Sequence, residues 1–442
     1  MRIIHIFKTA LMVLLIMSLV LVGCSQNEKS NSSESTTSSE GQVTKEPILF
    51  RITWADYSGR GVAIQKIVDV YNAQSDNSYE VVIQSGNEDI QEIEGLLASE
   101  IEAPILMLPY RYVKYLGEQA KLIKLTEAFK KDAALFYPEL WKLGMADGDV
   151  YGIPWLGHSI CLIYNKDLLK EAGIDPESIV SLDTFEQALN IIEQKTSAKG
   201  VGLVGANHND ISWMVNQFIY GFGSTLVDET GTKVMVNNEN AKAALEFYKS
   251  TLGAYAQPSW LTDTGVEVME HFRNQEIAFE FQGVWGVADI TKSGSPFDVG
   301  VINLEDIGLY SEVGPMMLSI PEAMSSDKQE EAMRFISYLI STSAQESIMN
   351  GEYSPEHDAY YPFRVPVRID LAESQFFKNY PEYLAFIKGF KKPSVDVPVP
   401  KWQTIKDDYY APGLSQFMKS EITVDAFLKI IENEGNKILN SN

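Results

Sequence analysis

Residues 48–108 change hydrophobic period four times, and this alternation limits the folds open to the chain more than any other feature. In ILFRITWA, residues 48–55, Ile48, Phe50, Ile52 and Trp54 alternate with Leu49, Arg51, Thr53 and Ala55, the two-residue period of a strand. Gly59-Arg60-Gly61 breaks it, and Ala63, Ile67, Val70 and Tyr71 then recur at helical spacing, predicting an amphipathic helix over 62–74. Tyr79, Val81 and Ile83 alternate again, and Ile90, Ile93, Leu97 and Ile101 predict a second helix. Residues 104–108, PILML, form a short apolar run, the pattern of a strand covered on both faces. Strand–helix–strand–helix–strand implies right-handed parallel crossovers and an α/β sheet with helices on both faces. Ligands of such sheets gather at the carboxyl ends of the strands. Trp54, Asp56 and Tyr57 follow the first strand; Tyr110, Arg111 and Tyr112 follow the third.

A second set of elements begins near residue 158. Residues 159–164 read as a strand and 166–172 as a helix that stops at Gly173. Ser181 or Asp183 caps a helix to about residue 195, with Phe185, Ala188, Leu189 and Ile192 inward. A strand at 201–204, a helix at 240–252 and a strand at 277–281 follow. Residues 330–349 predict one long helix with Ala332, Phe335, Ile336, Leu339 and Ile340 on its buried face. No fixed-period repeat is present.

The first residues are a targeting signal. Arg2 and Lys8 precede the charge-free run TALMVLLIMSLVLVG, residues 9–23. As a helix it would span about 22 Å, short of the ~30 Å hydrocarbon core, so it reads as a secretory signal. The following LVGC, residues 21–24, resembles the bacterial lipoprotein box. That resemblance implies cleavage before Cys24, a diacylglycerol thioether and palmitate on it, and anchoring to the extracellular face of the cell membrane. Residues 25–45 are almost devoid of apolar side chains and cannot bury enough surface to fold. The expectation is a signal peptide at 1–23 and a disordered tether at 24–47, with a reach of roughly 25 Å. Cys161 is the only other cysteine. With Cys24 lipidated it has no disulfide partner, and in SICLIYN it reads as a small buried hydrophobe.

The net charge of −24 over 442 residues argues against a nucleic-acid partner, which requires a basic patch. The 7 Trp, 21 Tyr and 20 Phe suffice for a core, a ligand groove or both. No G-x-S-x-G, H-E-x-x-H or Walker A motif occurs.

Several stretches, in order, carry a family resemblance: DVYGIPW at 149–155 followed by LIYNKD at 162–167; FRNQEIAF at 272–279 followed by GVW at 283–285; GPMMLS at 314–319 followed by the helix over 329–345; and PKW at 400–402. Together they resemble the extracellular solute-binding proteins of ABC importers, family 1, the maltodextrin-binding-like type. The resemblance implies a two-lobe, periplasmic-binding-protein-like α/β fold, each lobe a mostly parallel sheet flanked by helices, with a ligand cleft between. It places one lobe at 48–156 plus about 310–355 and the other at 157–309 plus about 356–442, with crossings near 156–159, near 308–314 and within 350–365. It further implies a monomer without cofactor, metal or catalysis, a carbohydrate ligand, and partnership with a membrane permease and its ATPase. An exported carbohydrate-active hydrolase and a non-transport surface lipoprotein are the alternatives.

A neutral sugar has apolar C–H faces and polar edges, so its site needs aromatic rings and a few polar groups. The candidates are Trp285, Trp402, Tyr110, Trp213, Trp155, Trp54, Asp56 and His158. Trp285 stands between Gly283 and Gly286, which leave room for close approach, and Trp402 is carried over from the family pattern. Trp213 reads equally as core, and Trp54 ends a strand with an apolar even face, which favours core. Asp56 and Asn87 sit where loop polar groups are usually only solvated. His158 has no second His or Cys at metal spacing and favours a satisfied loop histidine. Residues 228–232 read as a hairpin turn, not a calcium loop. Arg111 and Arg364 are the local exceptions that could attract an anion despite the acidic average.

Overall fold

The computed structural model describes residues 45–74, 78–99, 102–394 and 399–441. The signal segment, Cys24 and the tether up to residue 44 lie outside the described residues. The strands that make up the two larger sheets are β1 (Glu46–Ile52), β2 (Tyr79–Ser85), β3 (Ile105–Pro109), β4 (Ile153–Gly157), β5 (Cys161–Asn165), β6 (Lys199–Gly202), β7 (Ile277–Gln282), β8 (Val299–Ile302), β9 (Met316–Ser319) and β10 (Val365–Pro366). One sheet has six strands in the order β10-β4-β9-β3-β1-β2; the other has four, in the order β8-β5-β7-β6. Each sheet with its helices forms a lobe.

The alternation at 48–108 produces the expected crossovers. The helices used below are α1 (Gly59–Asn72), α2 (Ile90–Leu97), α3 (Tyr110–Glu118), α4 (Asn209–Gly221), α5 (Val284–Lys292), α6 (Ser326–Leu339) and α7 (Thr342–Met349). β1 pairs in parallel with both β2 and β3. Ser58 starts α1, its Oγ accepting from the Gly61 amide at 3.1 Å, and Ala63, Ile64, Ile67, Val68 and Tyr71 face inward. The first lobe's core closes around Phe50, whose ring lies 5.7 Å from Trp155 and 5.3 Å from Phe335. In the second lobe Phe185 meets Phe279 at 5.3 Å and Phe218 meets Phe281 at 5.4 Å.

Four details differ from the sequence reading. β1 begins at Glu46 and pairs with β2 from there, so a tether ending at 47 overlaps the strand by two residues. The sheets are mixed: β9 runs antiparallel to β3 and β4, and β5 antiparallel to β7 and β8. This follows from connectivity, because β9 returns from the other lobe and enters between strands already laid down. Val365 pairs with Gly157 and Pro366 with Leu156, so residues up to 366 still belong to the six-stranded sheet, and a crossing within 350–365 is too early. The helix expected over 330–349 is two, α6 and α7, because the Ser341 Oγ accepts from the Ala344 amide and starts a new helix.

Two short segments join the sheets. Only residues 158–160 separate β4 from β5, and residues 303–315 lead from β8 back to β9. They lie side by side: Ser159 bridges to Val313, and the Ile160 amide donates to the Glu312 carbonyl at 2.9 Å. Cys161, which opens β5, is fully buried, and burial pushes its thiol pKa up.

Glu280, in the centre of β7, is fully buried and neither carboxyl oxygen has a hydrogen-bond partner. Burial raises its pKa well above the ordinary 4.5; Asp289 adds to the effect and Arg273 opposes it. The native state therefore holds a proton that the unfolded chain releases above pH ~4.5, so this residue's contribution falls as pH rises above that value. We expect Glu280→Gln, which cannot ionise, to be more stable than wild type. The gain should be small near pH 5 and widen toward pH 8 by up to about 1.4 kcal/mol per unit. Urea melts at several pH values measure it, and a constant difference between the two proteins would contradict it.

Candidate functional site

A cavity of about 170 Å³ opens between the lobes, lined from both sides. The six-stranded lobe supplies Glu88 after β2, Tyr110 and Arg111 at the end of β3, and Pro315 and Met316 where β9 begins. The other lobe supplies Asn209, Ser212, Trp213 and Asn216 from α4, Trp285 from α5, and Lys406. His158, Ile160, Glu312 and Gly314 come from the two crossings.

The strand-end rule accounts for the first lobe's contribution. β3 stops at Pro109, and Tyr110 opens α3 with its amide donating to the Pro315 carbonyl at 3.3 Å. Arg111 ion-pairs with Glu88 at 2.9 Å and lies over the Tyr112 ring.

In the second lobe Trp285 sits one residue inside α5, half-buried, and its Nε1 donates to the Gln282 Oε1 at 2.7 Å. Gly283 is required here: a Cβ would lie 2.3 Å from the Trp285 ring. Gly286 serves a different purpose from ligand approach, because a Cβ there would meet the Glu280 Oε1 and Ile163 Cδ1 at 2.8 Å. Its role is to seat α5 on the sheet. Trp213 is half-buried, with Nε1 donating to the Asp210 Oδ1 at 3.2 Å. Ser212 Oγ is buried without a partner.

His158 stands against Trp285 edge-to-face, with ring centroids 5.2 Å apart. Gly314 makes room for it, since a Cβ there would fall 2.6 Å from the imidazole Cε1. Its Nε2 lies 3.8 Å from the Glu312 carboxylate. Burial lowers the His158 pKa despite Glu312, and the Arg364 charge lowers it further, so the ring is neutral at neutral pH.

Trp54 adjoins the site without lining the cavity. It packs against Phe363 at 5.4 Å and under the Arg60 guanidinium at 5.3 Å. Arg364 fills the space between the two lobes' rings, 5.7 Å from Trp54 and 5.4 Å from Trp285. The pairing of Val365 with Gly157 brings Arg364 level with His158. Arg364 is only 6% exposed, and burial lowers its pKa to about 9, which leaves it charged at neutral pH.

Of the eight nominated residues, the cavity brings together Tyr110, His158, Trp213 and Trp285. Asp56 is exposed and outside it; its Oδ1 accepts from the Tyr57 amide at 2.8 Å. Trp155 and Trp402 are core residues at 0% and 1% exposure. Trp155 packs on Phe50 and Trp402 on Tyr410, with centroids 5.7 Å apart in both pairs, so neither has a face free for a ligand. Glu88, Asn209, Ser212, Asn216 and Glu312 were not nominated, because short polar residues on helices and loops carry no distinguishing pattern in one sequence. Glu88 alone could have been found, from its place just past β2.

Residues 66–385 match the family of bacterial extracellular solute-binding proteins. The chain belongs to that family. It is 25% identical over 250 residues to the arabinooligosaccharide-binding protein of Bacillus subtilis (strain 168), covering 55% of this chain and 53% of that protein. It is 30% identical over 166 residues to a probable ABC transporter-binding protein of Deinococcus radiodurans, covering 36% of this chain and 39% of the relative. The chain thus spans about half or less of the length of these relatives. Among solved structures, the sugar-binding protein MalE of Xanthomonas citri superposes with a TM-score of 0.75 at 18% identity, over 89% of this chain and 97% of that one. This likeness establishes the two-lobe fold.

The burial difference separates the tryptophans experimentally. Trp402→Ala should destabilise the chain by about 3–5 kcal/mol, because it empties a closed core site. Trp285→Ala, at a half-buried position, should cost no more than about 1–2 kcal/mol. Thermal melts of the two variants without ligand test this, and equal losses would contradict the assignment.

Proposed function

We propose that this protein is the extracellular binding component of an ABC importer, that it takes a sugar or oligosaccharide into the cleft, and that it delivers this solute to a membrane permease driven by a cytosolic ATPase. The observation that carries the reading is the convergence of Tyr110 from one lobe with Trp213 and Trp285 from the other on a single cavity. Aromatic faces suit the C–H faces of a sugar ring, and the polar side chains between them suit its hydroxyl edges. Family membership and the arabinooligosaccharide-binding relative support the same solute class.

A ligand that touches both lobes binds the closed arrangement more tightly than the open one and shifts the population toward it. The crossings at 158–160 and 303–315 are the segments that would absorb the rotation, with a third beyond residue 366. The lobes would then comprise about 46–157 with 316–366, and 161–302 with the remainder. The chain works as a monomer in this reading, tethered to the outer face of the cell membrane through acyl chains on Cys24. An acidic chain is repelled by anionic lipid, so the anchor rests on the acyl chains.

Scattering from the purified protein should show a smaller radius of gyration with saturating cognate sugar, and an unchanged radius would refute closure. Trp285→Ala should lose about 1–3 kcal/mol of binding free energy by calorimetry, the usual value of a stacked aromatic. Wild-type affinity would remove Trp285 from the site. For the anchor, cells fed labelled palmitate should label the wild type and not Cys24→Ser, and the variant should appear in the medium. Membrane retention of the variant would refute the lipid anchor.

A further inference from the structure

Among the cations in and beside the cavity lining, Arg111, Arg60 and Lys292 hold carboxylates and Arg364 does not. Arg111 holds Glu88 at 2.9 Å. Arg60 and Lys292 share the Glu352 carboxylate at 3.7 and 2.8 Å. Arg364 has no carboxylate within 4.0 Å among the described residues. Its Nε is buried without a partner, and its one hydrogen bond among the described residues is a long one, from Nη1 to the Phe363 carbonyl at 3.4 Å.

A guanidinium so buried costs several kcal/mol unless a counter-charge reaches it. The rings of Trp54, Trp285 and Phe363 around it offer cation–π attraction, worth at most about 2 kcal/mol each. They supply no hydrogen-bond acceptor in the guanidinium plane. A sugar hydroxyl would give an acceptor and no charge. A carboxylate or phosphate gives both, and the planar fork matches two oxyanion oxygens at once. The position is also suited to sensing closure, because Arg364 touches Trp54 of one lobe and Trp285 of the other.

We infer that the solute carries an oxyanion, a carboxylate or a phosphate ester on a sugar or polyol, and that Arg364 receives it. This deepens the reading given under Proposed function and rests on it. The aromatic rings hold the carbon skeleton, and the guanidinium selects the charged end. A binding chain with net charge −24 needs such a local exception, since its average field repels anions.

The test is a thermal-shift and calorimetry panel of matched pairs on the purified chain: uronic-acid oligosaccharides with their neutral counterparts, and sugar and polyol phosphates with the parent sugars and polyols. The expected result is that the charged member of a pair binds roughly 100-fold tighter than the neutral one, the usual penalty for leaving a buried charge unmatched. Uronides and phosphates, as separate arms, identify which oxyanion is recognised. Arg364→Gln should lose about the same factor for the anionic probe, while Arg364→Lys keeps part of it. The wild-type pairs decide the matter even if a variant fails to fold. A neutral sugar that binds as tightly as its charged partner overturns the oxyanion proposal and leaves the sugar-binding reading standing. A panel in which no member binds overturns both.

Discussion

Three residues, 158–160, separate the last strand of one sheet's first run from the first strand of the other sheet. That shortness is the constraint on which the cleft depends. A segment so brief keeps the ends of β4 and β5 close together, and the returning segment is laid against it by the Ser159–Val313 bridge. β9 then enters the six-stranded sheet antiparallel, between β3 and β4. The ends of β3, β4 and β9 therefore meet the crossings, and Tyr110, His158 and Met316 are brought to one cavity. Gly314 is small because His158 must fit above it, and His158 supports the Trp285 ring from the side.

The same arrangement sets the electrostatics. Carboxylates outnumber cations along the chain by 24, yet the cleft border is rich in arginine, lysine and histidine. Most of these have a carboxylate at hand. Arg364 precedes β10, whose pairing with β4 sets it between the lobes' rings, and among the described residues no carboxylate lies within 4.0 Å of it; Glu352 and Glu88 act only from farther away. Glu280 is the complementary case: a lone acid sealed beneath α5, where no cation lies close enough to hold it ionised. Burial disfavours the charged form of both, but the guanidinium starts from 12.5 and stays charged at neutral pH, whereas the carboxyl starts from 4.5 and is pushed toward its protonated form.

The local elements were legible because side-chain period is set by backbone geometry alone. The crossovers of 46–109, the stop of a helix at Gly173 and the burial of Cys161 all follow from the residues themselves. The break between α6 and α7 was not legible, because the apolar stripe runs on through it and only the Ser341 cap ends the helix. The site was legible in part. Tyr110 follows from the strand-end rule and Trp285 from the family pattern, but the same pattern also nominated Trp402, which Tyr410 covers.

The sequence by itself determined an α/β chain of alternating strands and helices, an acidic body, and a short list of rings from which a site could be built. Only the tertiary structure decided which of those rings keep a face uncovered. Trp155 and Trp285 each sit at a strand or the helix that follows one, and nothing in their neighbours along the chain separates them; Phe50 buries the first and the gap between the lobes spares the second. Likewise the partners of a charge are a matter of which strands lie side by side, a long-range property that spacing along the chain does not encode. That is why nothing separated Arg364 from Arg111 along the chain until β10 was seen paired with β4.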